Sequence, residues 1–180
     1  MFHVTERLLL RPAWPEDADA LFGGIADEGV VRNLARAPWP YLPKHAREFV
    51  AMTRDPRVPN FLMTLPGRQG SQIIGSIGFG ETETGIELGY WIARPYWGKG
   101  YATEAGRGLI EIARLLGYER LEAGHFLDNP ASGRVLRKLG FRPTGKVDKR
   151  HSCGRGEDVD CALYQLDLEA DQSVAPPMAA

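Results

Sequence analysis

The sequence predicts an α/β domain in which a mixed, mostly antiparallel sheet of about seven strands is flanked by about four helices. Three observations predict it. Short strand-like runs are interleaved with segments whose apolar residues recur at helical spacing. Asn60 to Leu65 and Gln72 to Phe79 flank the turn-rich Pro66-Gly67-Arg68-Gln69-Gly70, which makes a hairpin. Ile86 to Ile92 and Leu121 to Leu127, the fourth and fifth strands, are joined through a helix, and a right-handed crossover makes them parallel.

Thr5 to Arg11 has the alternation of a first strand. Pro15, Glu16 and Asp17 then open a helix through Ala18, Leu21, Phe22 and Ile25. Ala35 to Pro43 carries three prolines, so it is a loop. Trp39 and Tyr41 within it either pack on the core or touch a substrate. A second helix follows Pro43, with Ala46, Phe49, Val50 and Thr53 on one side, and stops near Asp55-Pro56. After the hairpin, Glu81 to Gly85 turns the chain into the fourth strand. The third helix has Ala102, Ala105, Leu109, Ile112, Ala113 and Leu116 on its buried face and Gly117 as its end. Asp128-Asn129-Pro130 starts the fourth, with Asn129 as cap, and Gly140 ends it. Two last strands, Phe141 to Lys146 and Asp158 to Leu166, enclose a charged loop from Asp148 to Glu157. Residues 1–168 read as a single domain and 169–180, rich in Ala, Pro and Ser, as a disordered tail.

The chain has 180 residues and a formal net charge of −1, without the basic surplus that phosphate-backbone binding demands, so nucleic acid is not an expected partner. Met1 to Arg7 lacks a signal-peptide pattern and no apolar run has membrane-spanning length; the expected location is cytoplasmic, with no membrane contact. Cys153 and Cys161 read as free thiols. Together with the scattered His3, His45, His125 and His151 they form no metal-ligand pattern, and no metal is expected.

The chemistry-bearing stretch is Tyr96-Trp97-Gly98-Lys99-Gly100-Tyr101-Ala102, where a glycine-bearing turn runs from the fourth strand into the third helix. Free amides at a helix start, with the positive end of the dipole behind them, form a site for a phosphate or pyrophosphate. Each exposed contact adds only about 0.3–1 kcal/mol, so several amides must act on one multiply charged ligand. The other reading is a plain strand–helix turn. A P-loop would need Ser or Thr after Lys99, and a dinucleotide fingerprint would need glycine at Thr103; neither is present.

Glu87-Leu88-Gly89-Tyr90-Trp91-Ile92 and Arg94-Pro95-Tyr96-Trp97-Gly98-Lys99-Gly100-Tyr101-Ala102-Thr103-Glu104-Ala105 together resemble the acetyl-CoA motif of the GNAT acyltransferase superfamily, most of all its ribosomal-protein N-terminal acetyltransferase branch. A second matching motif is Asn129-Pro130-Ala131-Ser132 followed by Leu136-Arg137-Lys138-Leu139-Gly140-Phe141. The resemblance implies a fold with splayed fourth and fifth strands, pyrophosphate on the amides of residues 98 to 102, and the pantetheine arm along the backbone of Tyr90, Trp91 and Ile92. It also implies that the thioester lies beside Leu127 and Asn129. Two departures stand out: Pro95 replaces the frequent Gln or Arg, and Leu136 stands where many members have a tyrosine that protonates the leaving thiolate.

The implied reaction is acetyl transfer from acetyl-CoA to an amine, a protein N-terminus or a small molecule, by direct attack in a ternary complex; a homodimer is compatible with this. A coenzyme-A-binding protein without turnover is the alternative. Glu87 is either the base, as its place in the strand resembles the catalytic glutamate of some members, or a solvated or salt-bridged strand residue. Asn129 and Ser132 either contact the cofactor or cap their helix, and Ser132 is a candidate donor to the thiolate. An α-amine of pKa about 8 needs roughly 1.4 kcal/mol to deprotonate at pH 7, a lysine roughly 4.6, so a carboxylate base suits the α-amine better. Arg94 and Lys99 flank the expected pyrophosphate. Glu104 reads as a favourable first-turn acid and His151 as a surface residue.

Overall fold

The computed structural model describes residues 1–53, 55–67 and 70–168. Its centre is one eight-stranded sheet in the order β1-β2-β3-β4-β5-β6-β8-β7, comprising β1 (His3–Val4), β2 (Leu9–Arg11), β3 (Asn60–Gly67), β4 (Gly70–Glu81), β5 (Ile86–Ile92), β6 (Arg120–Phe126), β7 (Arg142–Ser152) and β8 (Glu157–Asp167). Five helices accompany it: α1 (Ala18–Ile25), α2 (Glu28–Val31), α3 (Pro43–Ala51), α4 (Tyr101–Leu115) and α5 (Pro130–Lys138). Every neighbouring strand pair is antiparallel except β5 and β6. Those two are parallel and pair at one position, Glu87 opposite Glu122, before they diverge.

The strand alternation sorts side chains between two apolar layers. Leu88 and Ile92 of β5 join Leu109, Ile112 and Ala113 of α4 and Leu136 of α5 on one face. Trp91 joins Leu21, Ile25, Val30, Val31 and Ala46 of α1 to α3 on the other. Gly75 in β4 is required by close approach, since a Cβ there would fall 2.3 Å from the Trp91 carbonyl oxygen.

Several sequence-based boundaries change, among them the end of the helix after Pro43, which stops at Ala51 and so excludes Thr53. The first strand is two, because Thr5 to Leu8 turns: the Thr5 amide donates to the Leu8 carbonyl at 2.9 Å. The Glu104 carboxylate holds that turn, accepting from the Thr5 hydroxyl at 2.6 Å and the Arg7 amide at 2.7 Å. Glu104 is therefore more than a first-turn acid. Burial opposes its charge, yet the bonds from Thr5 and Arg7 and the charge of Arg7 bring its pKa below the ordinary carboxylate value. The short α2 was missed because four residues cannot show a period; its signal was Asp27, whose side chain accepts from the Val30 amide at 3.2 Å.

The strand expected to end at Lys146 runs to Ser152, and the expected loop from Asp148 to Glu157 shrinks to the hairpin tip 153–156. Charged residues hid this strand, since nearly all of β7 is exposed on both faces and shows no apolar alternation. In the first hairpin, Pro66 and Gly67 are strand rather than turn. The tail expected at 169–180 lies outside the described residues.

Candidate active site

Divergence of β5 from β6 opens a cleft of about 450 Å³ between the head of α4, the head of α5 and the segment 33–35 that follows α2. It brings together most of the residues singled out in the sequence. Tyr90, Trp91 and Ile92 line it from β5, and Trp97, Gly98, Gly100, Tyr101 and Ala102 from the turn and α4. Asn129 and Ser132 line it from α5, and Glu87 from the start of β5. Lys99 does not line it; its ammonium lies 5.4 Å from the centroid of the Tyr96 ring. Arg94 is drawn 3.5 Å from Asp27. Leu127 is half exposed outside the cleft, as is Trp39, while Tyr41 is buried among α1 to α3.

The turn has the backbone that an anion site needs. Gly98 and Gly100 both have positive φ, +73° and +83°, where a side chain is strained, and Gly100 caps α4 with no side-chain bond. Among the described residues, the amides of Gly98 to Ala102 meet no backbone acceptor. Arg7, which the sequence did not single out, steadies this turn. Its guanidinium donates to the Lys99 carbonyl at 3.2 Å, lies 4.4 Å from the centroid of the Tyr101 ring and is paired with Glu104.

Further in, the Ile92 carbonyl accepts from the Trp97 indole at 2.6 Å, which fixes the indole across the cleft mouth. The Asn129 side chain caps α5, accepting from the Ser132 amide at 3.3 Å. The Ser132 hydroxyl is 2.9 Å from that of Tyr90. Burial raises the pKa of Tyr90 more than Ser132 lowers it, so the phenol stays protonated near neutral pH.

At the opposite end Glu87 is bonded to Arg150 of β7. Arg150 is a residue that the sequence placed in a loop and passed over. No local signal marked it: Asp148, Arg150 and Ser152 share one strand face, but the intervening Lys149 and His151 are equally polar. Burial disfavours the guanidinium charge, but the bond and charge of Glu87 outweigh this and raise its pKa. Cys161, which also lines the cleft, has its thiol pKa raised by burial, against a smaller lowering from Arg150, and stays a neutral thiol. Cys153 is exposed, and His151 is a surface residue 3.0 Å from Asp158. The hairpin tip holds this end together: Ser152 donates to the Leu34 carbonyl at 3.2 Å, Cys153 to that of Ala35 at 2.9 Å, and Arg155 to that of Arg32 at 2.7 Å.

Among the described residues there is no cluster of three or more His, Cys, Asp or Glu placed to hold a metal, and no helix long and apolar enough to cross a membrane.

The site is one splayed parallel pair with an uncapped helix at the mouth of the splay, and the comparisons name the family that carries it. The model of the acetyltransferase (GNAT) domain matches residues 7–142, so the chain belongs to the GNAT acetyltransferase family. An uncharacterised N-acetyltransferase named p20, from Bacillus licheniformis, is 30% identical over 168 residues, covering 90% of this chain and 93% of that protein. The crystal structure of a GNAT-family acetyltransferase from Bacillus anthracis superimposes with a TM-score of 0.79 at 27% identity, covering 93% of this chain and 98% of that one. RimL, a ribosomal L7/L12 α-N-protein acetyltransferase solved with coenzyme A, shares the fold with a TM-score of 0.78 at 20% identity, covering 95% and 100%. The chain is an acyltransferase of the acetyl-transferring kind.

Proposed function

We propose that this protein transfers the acetyl group of acetyl-CoA to an amine, with both substrates bound together and residues 1–168 acting as one domain. The observation that carries this reading is the run of amides from Gly98 to Ala102 with no backbone acceptor, at the mouth of a cleft that continues between β5 and β6 to a carboxylate. These amides are open to solvent and converge at a helix start, and a diphosphate supplies several acceptors to them at once. In this reading the pantetheine arm runs along β5 at Tyr90, Trp91 and Ile92, where the Ile92 carbonyl already accepts from the Trp97 indole and would exchange that bond for one to the arm.

Glu87 then takes a proton from the attacking amine and the Ser132 hydroxyl, backed by Tyr90, donates to the departing thiolate. Loss of the tyrosine usual at position 136 is tolerable, because a thiol of pKa about 8.5 leaves readily near neutral pH. A single carboxylate suits an α-amine better than a lysine; RimL, by its name, acts on a protein α-amine. One observation favours the reading of a coenzyme-A-binding protein without turnover: Glu87 is already occupied by Arg150.

Calorimetric titration with coenzyme A, followed by thiol release from acetyl-CoA across N-terminal peptides, amino acids, polyamines and aminoglycosides, separates the readings. Binding with release is expected. Binding without release from any amine would leave the non-catalytic reading, and no binding would end both.

A further inference from the structure

Among the described residues two arginines line the cleft: Arg134, which is exposed on α5, and Arg150, which is part-buried against Glu87. A guanidinium offers five N–H donors in a planar fork. Arg155 spends its fork on Asp128, with bonds of 2.8 and 2.9 Å, and on the Arg32 carbonyl. Arg150 makes one bond, from Nη1 to Glu87, and among the described residues its remaining donors meet no acceptor. Yet it is no solvated surface charge: its side chain is 31% exposed, that of Glu87 is 20% exposed, and both line the cleft. Gly124 and Cys161 lie beneath it. A Cβ on Gly124 would lie 3.5 Å from Nη1 and 2.8 Å from the Cys161 sulfur.

A half-desolvated guanidinium with spare donors, beside the carboxylate that must accept the acceptor's proton, poses a conflict. Arg150 holds one Glu87 oxygen, Oε1, so an amine must use the other oxygen or compete for the first. An ammonium that displaced Arg150 from Glu87 would leave the part-buried guanidinium without its counter-charge, a cost that its 31% exposure keeps modest but that still opposes the exchange. A zwitterion resolves the conflict, because its two charges replace the two they separate.

We infer that Arg150 is a specificity residue of the acceptor site, and that the preferred acceptors are amines carrying a carboxylate a few bonds away. The carboxylate takes the guanidinium fork in a bidentate pair, and the amine takes Glu87. This rests on the acetyl-transfer reading. The carboxylate has two sources, the α-carboxylate of a free amino acid or the side chain of an acidic residue at a peptide's N-terminus.

The test compares initial thiol-release rates of the full-length protein on acceptors that differ in that carboxylate, each rate taken per unit of free amine because the carboxylate also raises the pKa of the amine. Glycine and glycinamide form one arm, and C-terminally amidated peptides beginning with Asp or Asn form the other. The carboxylate member of at least one arm is expected to have a kcat/KM roughly a hundredfold higher, mostly through KM, and the arm identifies the source. In Arg150→Gln the preference collapses because the carboxylate member slows, whereas Arg150→Lys retains part of it; coenzyme A binding by calorimetry stays as in the parent. A purely structural Arg150 would slow both members alike, and that result overturns the inference. So do equal rates for both members in the unmodified protein, a comparison that needs no variant to fold. Turnover of amides and polyamines alone overturns it while sparing the acetyl-transfer reading; coenzyme A binding with no turnover of any amine overturns both.

Discussion

Two arginine–carboxylate pairs in this molecule have the same chemistry and opposite degrees of completion. Arg11 and Asp17 meet in two bonds of 2.7 Å with side chains 7% and 10% exposed. Asp17 also accepts from the Trp14 amide at 2.7 Å, and Arg11 donates to the Pro12 carbonyl at 3.0 Å and stacks 4.0 Å from the Trp14 ring centroid. Arg150 and Glu87 share one bond in an open cleft. A buried pair closed by two bonds and backed by the Trp14 amide and the Pro12 carbonyl has little to offer a ligand and serves the fold. A pair left incomplete beside a cavity is available for exchange.

The sharpest way to break the contrast is at the closed pair. Asp17→Ala leaves Arg11 buried without its counter-charge and is expected to lower unfolding free energy by about 3–5 kcal/mol, read from urea midpoints, with little change in turnover per folded molecule. The pH dependence follows from the sign of the shift. Burial pushes the Asp17 carboxyl up, but the Arg11 bonds, the Trp14 amide and the Arg11 charge outweigh it and hold it below its ordinary value of 3.8. Its stabilisation is therefore complete above that value and is lost as pH falls through the lower folded value. Asp17→Asn should lack this acid limb; an identical acid profile in both proteins would show that the pair is not its source.

At the open pair the expected effects reverse. Glu87→Gln removes a part-exposed single-bond pair, so stability should change by less than about 1 kcal/mol. Turnover at neutral pH should fall about a hundredfold, roughly 2.7 kcal/mol, the usual contribution of a positioned base. The deficit should shrink toward pH 9, where an α-amine of pKa about 8 loses its proton unaided. An unshifted pH–rate profile would remove Glu87 from that role.

The same contrast explains what could be read in the chain beforehand. Alternation and helical spacing made β3 to β6, α4 and α5 legible, because each buries one face against a layer that demands apolar residues. Gly98, Gly100 and Asn129 were legible because their positions have local requirements: positive φ at the glycines and a cap at the helix start. The second half of β7, from Val147 to Ser152, was not, since its residues are mostly charged or polar and its burial is slight. Arg150 was lost with it. Its importance comes from meeting Glu87, 63 positions away, and no local pattern encodes that meeting. The turn at Thr5 to Leu8 was hidden for the same reason, being made by Glu104 across the sheet.

Gly100→Ala tests the turn at smaller amplitude. At φ +83° a Cβ is strained by about 1–2 kcal/mol, so coenzyme A affinity should drop about tenfold by calorimetry; unchanged affinity would separate the turn's shape from binding.

The smallest effect is expected where the contrast is intermediate, at the hydroxyl pair of Tyr90 and Ser132. Each hydroxyl is satisfied by the other at 2.9 Å, yet both line the cleft and either can donate onward. If Ser132 is the donor to the thiolate and Tyr90 orients it, Tyr90→Phe should lower kcat by only about threefold to tenfold, because a thiol leaving group asks for little help. Ser132→Ala should lower it by a similar amount. The double variant should then be no slower than the slower single one, since two groups acting as one unit are lost together. Fully multiplicative losses would mean that the hydroxyls act separately, and an unchanged kcat in both single variants would leave the pair a structural link between β5 and α5.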